Sequence, residues 1–105
     1  MKTYTRLTLT FLLLILVVPQ VGGQRPENGP YVEYHSNGAK KRQTDYKDGK
    51  KTFVTEWHRN GQKEKEERYN DDGEQDGVWT RWDENGNKKW ERHYKNGKEI
   101  SRKEF

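Results

Sequence analysis

His35 and His58 each stand two residues before an Asn-Gly pair, and Asp83 holds the same place before a third. Imidazoles and carboxylates recurring in this way would make a zinc or calcium site if the fold gathered them around one ion. The run Asp71-Asp72-Gly73-Glu74-Gln75-Asp76-Gly77 offers a second set of oxygen ligands. Glu33 and Glu56 could face one cleft as an acid pair, the arrangement used in general acid–base work. Lys88, Lys89, Trp90, Arg92 and Tyr94 interleave cations with rings, as in surfaces that stack bases or sugars. Cysteine is absent, which removes disulfides, thiolate metal sites and cysteine nucleophiles.

What these residues can do depends on the elements that carry them, and repetition is the first clue to those elements. Asn-Gly occurs at 37–38, 60–61 and 85–86. A second turn signal occurs at Asp48-Gly49, Asp72-Gly73 and Asn96-Gly97. Tyr34, Trp57 and Trp82 precede the first set of asparagines by three residues, and Tyr46, Tyr69 and Tyr94 follow them by nine. Three units are in phase, 29–50, 51–75 and 76–97, with extra residues between Tyr69 and Asp76. Phe105 lies eight residues past Gly97, as Trp57 lies eight past Gly49, so 98–105 reads as half of a fourth unit.

Asn-Gly and Asp-Gly suit type I′ hairpins, in which both central residues need positive φ. Strands joined only by tight turns are antiparallel neighbours. The expectation is an all-β antiparallel meander of two-stranded units, about three and a half of them. Its strands fall at 30–36, 40–47, 51–58, 63–69, 77–83 and 88–94, with a seventh in 98–105. Trp90, Arg92 and Tyr94 then share one face, while Trp79 and Trp82 point to opposite faces unless a bulge intervenes. The edges are 30–36 and the tail, guarded by Pro30, Lys98, Glu99, Arg102 and Lys103. Residues 24–28 read as a short flexible leader.

The chain has 105 residues and a net charge of +4. Lys2 and Arg6 precede an apolar run from Leu7 to Val18, followed by Pro19 and Val21-Gly22-Gly23. A basic head, a short apolar stretch and small residues describe a secretory signal, cut after Gly23. The run is too short for a spanning helix, which needs about 20 apolar residues. The mature chain then keeps 19 bases against 17 acids and has neither Leu nor Met. Its apolar residues are eleven aromatics with Val32, Ala39, Val54, Val78 and Ile100.

Placed on a meander, the candidate chemistry thins out. The His35, His58 and Asp83 strands are separated by intervening strands, roughly 9–10 Å apart, whereas zinc ligands sit about 2.0–2.2 Å from the ion. They read as solvated strand residues. The acidic run lacks the spacing of a calcium loop and reads as a turn insertion. Ser36 and Ser101 lie in no nucleophile elbow. No catalytic residue, metal or cofactor is expected. Interspersed signs and export argue against a nucleic-acid partner. The expected function is non-catalytic protein–protein interaction through an aromatic and charged patch of Trp57, Trp79, Trp82, Trp90, Arg81, Arg92 and Tyr94. A glycan or envelope surface is the alternative ligand. A monomer or weak homo-oligomer, secreted or periplasmic, is expected.

Gly77-Val78-Trp79-Thr80-Arg81-Trp82-Asp83-Glu84-Asn85-Gly86 resembles the MORN repeat variant, whose pattern is roughly G-x-W-x-x-Y-x-x-N-G. Gly29-Pro30-Tyr31-Val32-Glu33-Tyr34-His35-Ser36-Asn37-Gly38 fits equally well, and 88–98 is similar to the second half of the unit. The middle unit departs, with Thr52 at the glycine place and Val54 at the first aromatic. The resemblance covers about 29–105 and implies an elongated antiparallel sheet used in interaction or scaffolding, in some cases linked to membranes. It extends to YwqK-type proteins labelled as antitoxins, which would imply a cytosolic toxin partner. The export signal argues against that role.

Overall fold

Glycine sets the hairpins. The computed structural model describes residues 24–105, and the segment read as an export signal lies outside the described residues. The strands are β1 (Gly29–Tyr34), β2 (Lys40–Lys47), β3 (Lys50–Trp57), β4 (Lys63–Arg68), β5 (Gly77–Trp82), β6 (Lys88–Lys95) and β7 (Lys98–Glu104). They form one seven-stranded sheet in sequence order, each pair antiparallel, which is the meander that the repeats imply. The described residues contain no helix, and so none that is long and apolar enough to cross a membrane.

Two kinds of turn occur, where the sequence suggested one. Asp48-Gly49 and Asn96-Gly97 place both residues at positive φ, as a type I′ turn requires. Asn37, Asn60, Asp72 and Asn85 are not at positive φ; only the glycine after each is. There the carbonyls of His35, His58, Asn70 and Asp83 accept from the glycine N–H three residues on, at 2.9–3.0 Å. This is a type I turn followed by a left-handed glycine. The extra residue before Asp72 explains its change of class: it converts a two-residue loop into the longer one. Asn70 caps this turn, its Oδ1 accepting from the N–H groups of Asp72 and Glu74. The acidic run thus forms a turn, as the sequence suggested.

Five of the six turn glycines, all but Gly73, are followed by a β-bulge. Pairing skips Lys41, Thr52, Glu64, Lys89 and Ile100, each the third residue after its glycine. Because the extra residue always falls on the strand leaving the turn, β5 keeps its alternation, and Trp79 and Trp82 do point to opposite faces. Thr52, at the glycine place of the middle unit, is one of these skipped residues; its hydroxyl donates to the Asp45 carbonyl at 3.2 Å.

Neither face is covered by a second layer among the described residues. Val54 is the one buried hydrophobic residue among them, joined by the buried threonines Thr44, Thr55 and Thr80. Turns bond to turns two strands away and so stiffen both rims. Asn37 Nδ2 donates to the Arg59 carbonyl and Asn60 Nδ2 to the Glu84 carbonyl. On the opposite rim, Gly97 N–H donates to the Gln75 carbonyl. The end of the leader is pinned in the same way. Glu27 O accepts from Gly49 N–H, and Asn28 Oδ1 accepts from Asp48 N–H.

Gly86 has a φ of +89°, and a Cβ there would meet Gln62 Oε1 at 3.2 Å. Gly86→Ala is expected to cost about 1–3 kcal/mol from left-handed strain. Urea unfolding checks this, with the midpoint falling and the slope unchanged.

Candidate functional site

The register sorts the candidate residues into two groups on opposite faces. One row crosses all seven strands through Glu33, Arg42, Glu56, Lys65, Arg81, Trp90 and Glu104. Trp79, Arg92 and Tyr94 lie on this same face by alternation along β5 and β6. The other face carries Val32, Gln43, Thr55, Glu66, Thr80, Glu91 and Lys103 in one row, with Trp57 and Trp82 beside them. The expected patch is therefore two surfaces: Trp79, Arg81, Trp90, Arg92 and Tyr94 on one, Trp57 and Trp82 on the other.

On the first face, opposite charges neighbour one another so that Arg42 and Lys65 each bridge acids from two strands. Arg42 Nη1 lies 3.0 Å from Glu33 and its Nε 2.9 Å from Glu56. Lys65 continues the chain to Glu56 at 3.5 Å and to Glu67 at 3.0 Å. Arg81 reaches Glu64 at 3.2 Å. The acid pair Glu33 and Glu56 is thus shared by one guanidinium and does not face an open cleft. Burial pushes the Glu56 carboxyl up, but the hydrogen bond from Arg42 and the charges of Lys65 and Arg42 outweigh it and hold it below the usual range.

Three rings of this face form one cluster. Trp79 sits between Tyr69 and Tyr94, with centroids 5.4 and 5.1 Å away. Its indole N–H donates to the Arg68 carbonyl at 2.9 Å. Tyr69 donates its hydroxyl to Glu67 at 2.8 Å. Burial first, then that carboxylate, raise the phenol well above its usual range. The Arg92 guanidinium lies 4.3 Å from the Trp90 centroid, a cation–π contact. Trp79 and Tyr94 thus join strands, whereas Trp90 and Arg92 lie at the margin.

The second face holds a row that sequence reasoning missed. Tyr34 pairs with Lys40, Trp57 with Lys63 and Trp82 with Lys88. Each lysine then leans toward the ring of the next unit. Lys40 Nζ lies 5.3 Å from the Trp57 centroid, Lys63 Nζ 5.5 Å from Trp82, and Lys88 Nζ 5.6 Å from Phe105. The signal was present: each lysine follows an Asn-Gly glycine by two residues. Tyr34 and Phe105 are 61% and 59% exposed.

The histidines join units at the rim beside this row. His35 Nε2 lies 2.8 Å from the Trp57 carbonyl and His58 Nε2 3.1 Å from the Trp82 carbonyl, so each ring nitrogen donates there. Both sit just past their strands and are half-buried, which corrects the reading of solvated strand residues. Asp83 cannot donate to a carbonyl and instead accepts from Asn85 and Asn87 N–H groups of its own turn. The Asn87 N–H above all holds its carboxyl below the usual range. No group of three or more His, Cys, Asp or Glu among the described residues could hold a metal ion.

Glu56→Gln leaves Arg42 and Lys65 short of one acid, with an expected loss of about 1–3 kcal/mol at pH 7. The Glu56 contribution is present above the ordinary carboxylate range and is lost as pH falls through the lowered folded value. The gap between wild type and variant should therefore close in acid, which denaturant unfolding between pH 7 and pH 2 will show.

The family model of the MORN repeat variant matches residues 27–48 and 75–98. No curated protein and no solved structure matches the chain. Such repeats are generally non-catalytic modules for protein interaction or membrane binding. The two matched stretches fall on the β1–β2 and β5–β6 hairpins, which are thus similar to the MORN repeat variant.

Proposed function

We propose that this chain is an exported, non-catalytic repeat module that binds another protein through aromatic and charged side chains of its sheet. The observation that carries this reading is a one-layer sheet whose rings stay partly exposed. Trp57 and Trp82 lie half-buried on one face, between the exposed Tyr34 and Phe105. Aromatic and arginine side chains are the groups that protein interfaces favour. Export rests on the basic head and the apolar run before Gly23, and the intact mass of the native protein in each cell fraction tests it.

The two faces have different expected roles. Trp79 is bonded and stacked between strands, so Trp79→Ala should lower stability by about 3 kcal/mol. Trp82 makes fewer contacts of that kind, so Trp82→Ala should keep the far-UV dichroism and weaken partner capture. The checks are denaturant unfolding and affinity capture from the native compartment. Equal capture by wild type and by variants of both faces would overturn the reading.

A further inference from the structure

The row on the second face has a pitch. Tyr34, Trp57, Trp82 and Phe105 stand at equivalent places on β1, β3, β5 and just past β7. Lys40, Lys63 and Lys88 occupy the strands between, β2, β4 and β6. Neighbouring strands lie about 4.7–4.9 Å apart, so successive rings recur about every 9.4–9.8 Å. A polyproline II helix rises about 3.1 Å per residue with three residues per turn, and so repeats about every 9.3 Å.

We propose that this row is a docking groove for an extended proline-rich segment of a partner protein, one with acidic residues between its prolines. The inference rests on the interaction reading above and names the chemistry of the partner. Three observations support it besides pitch. First, the lysine ammonium stands over the face of the next ring, which leaves a notch between units. One such notch, of about 190 Å³, is lined by Gln62, Lys63, Trp82 and Gly86. A pyrrolidine ring fits between a ring and a lysine stem, whereas a sugar needs an open ring face.

Second, the indole N–H groups of Trp57 and Trp82 have no hydrogen-bond partner among the described residues, while that of Trp79 is bonded. A polyproline II segment has no internal hydrogen bonds, so its carbonyls are free to accept from both indoles. Third, the stripe is cationic. Lys40, Lys63, Lys88 and Lys103 line it, and Glu66 and Glu91 pair with two of them. The remaining positive charge selects acidic residues at the positions between prolines. Docking of this kind needs little ordering, because the ligand is already extended.

The test uses the purified chain labelled with ¹⁵N at tryptophan, titrated with three probes. These are the peptide (Pro-Pro-Glu)₄, the equally charged but flexible (Gly-Gly-Glu)₄, and polygalacturonate as an acidic polysaccharide. The proline peptide should shift the indole signals of Trp57 and Trp82 and leave Trp79 in place. It should bind about tenfold more tightly than the glycine peptide, through preorganisation. Lys63→Gln and Trp82→Phe, which spare the fold, should each weaken it at least about threefold.

Equal binding of the two peptides, shifts confined to Trp79 and Trp90, or a response to polygalacturonate alone would each overturn the assignment. If the proline peptide fails while Trp82→Ala still weakens capture of the native partner, this assignment falls and the interaction module stands. If capture is also indifferent to both faces, the module reading falls with it.

Discussion

A sheet of one layer has no interior, and that constraint governs the rest of the molecule. Val54 is its only buried hydrophobic residue among the described residues, so burial of the ordinary kind contributes little. What stabilises the sheet lies in its plane: ladder hydrogen bonds, cross-strand pairs and contacts between turns two strands apart. The Glu33–Arg42–Glu56–Lys65 chain is the clearest case, since Arg42 satisfies acids on both flanking strands and Lys65 shares Glu56 with it. An isolated surface ion pair is worth little, whereas a network with acids only 12–37% exposed holds several strands at once.

The fold was legible because its punctuation is glycine. The spacing of the Asn-Gly and Asp-Gly pairs placed every strand to within a residue or two. Turn class was less legible, because Asn-Gly serves both type I′ turns and type I turns closed by a left-handed glycine. The length of the loop decides between them, and the bulge that follows is invisible to composition. The bulges nonetheless fall at a fixed place, three residues after the glycine.

The candidate site was legible residue by residue but not as a surface. Alternation separated Trp79 from Trp82, yet both entered one expected patch. The separation follows from register, which sequence fixes only once turns and bulges are known. The lysines over the rings escaped notice because a lysine-rich strand reads as a wet face, although long lysine stems cover apolar surface well. Tyr34 and Phe105, seen as phase markers, turn out to end the row. The histidines misled in another direction: they read as solvated strand residues, and they are half-buried ties between units.

Every pair of strands in contact is adjacent in sequence, and the rim bonds at 35–57, 37–59, 58–82 and 60–84 span one unit only. Coupling of this nearest-neighbour kind makes stability a sum of unit terms and interface terms. Folding can then start at any hairpin and zip outward, with no distant loop closure to wait for. Opening runs the other way, from the exposed β7 inward, so amide exchange would grade along the sheet instead of switching as one block.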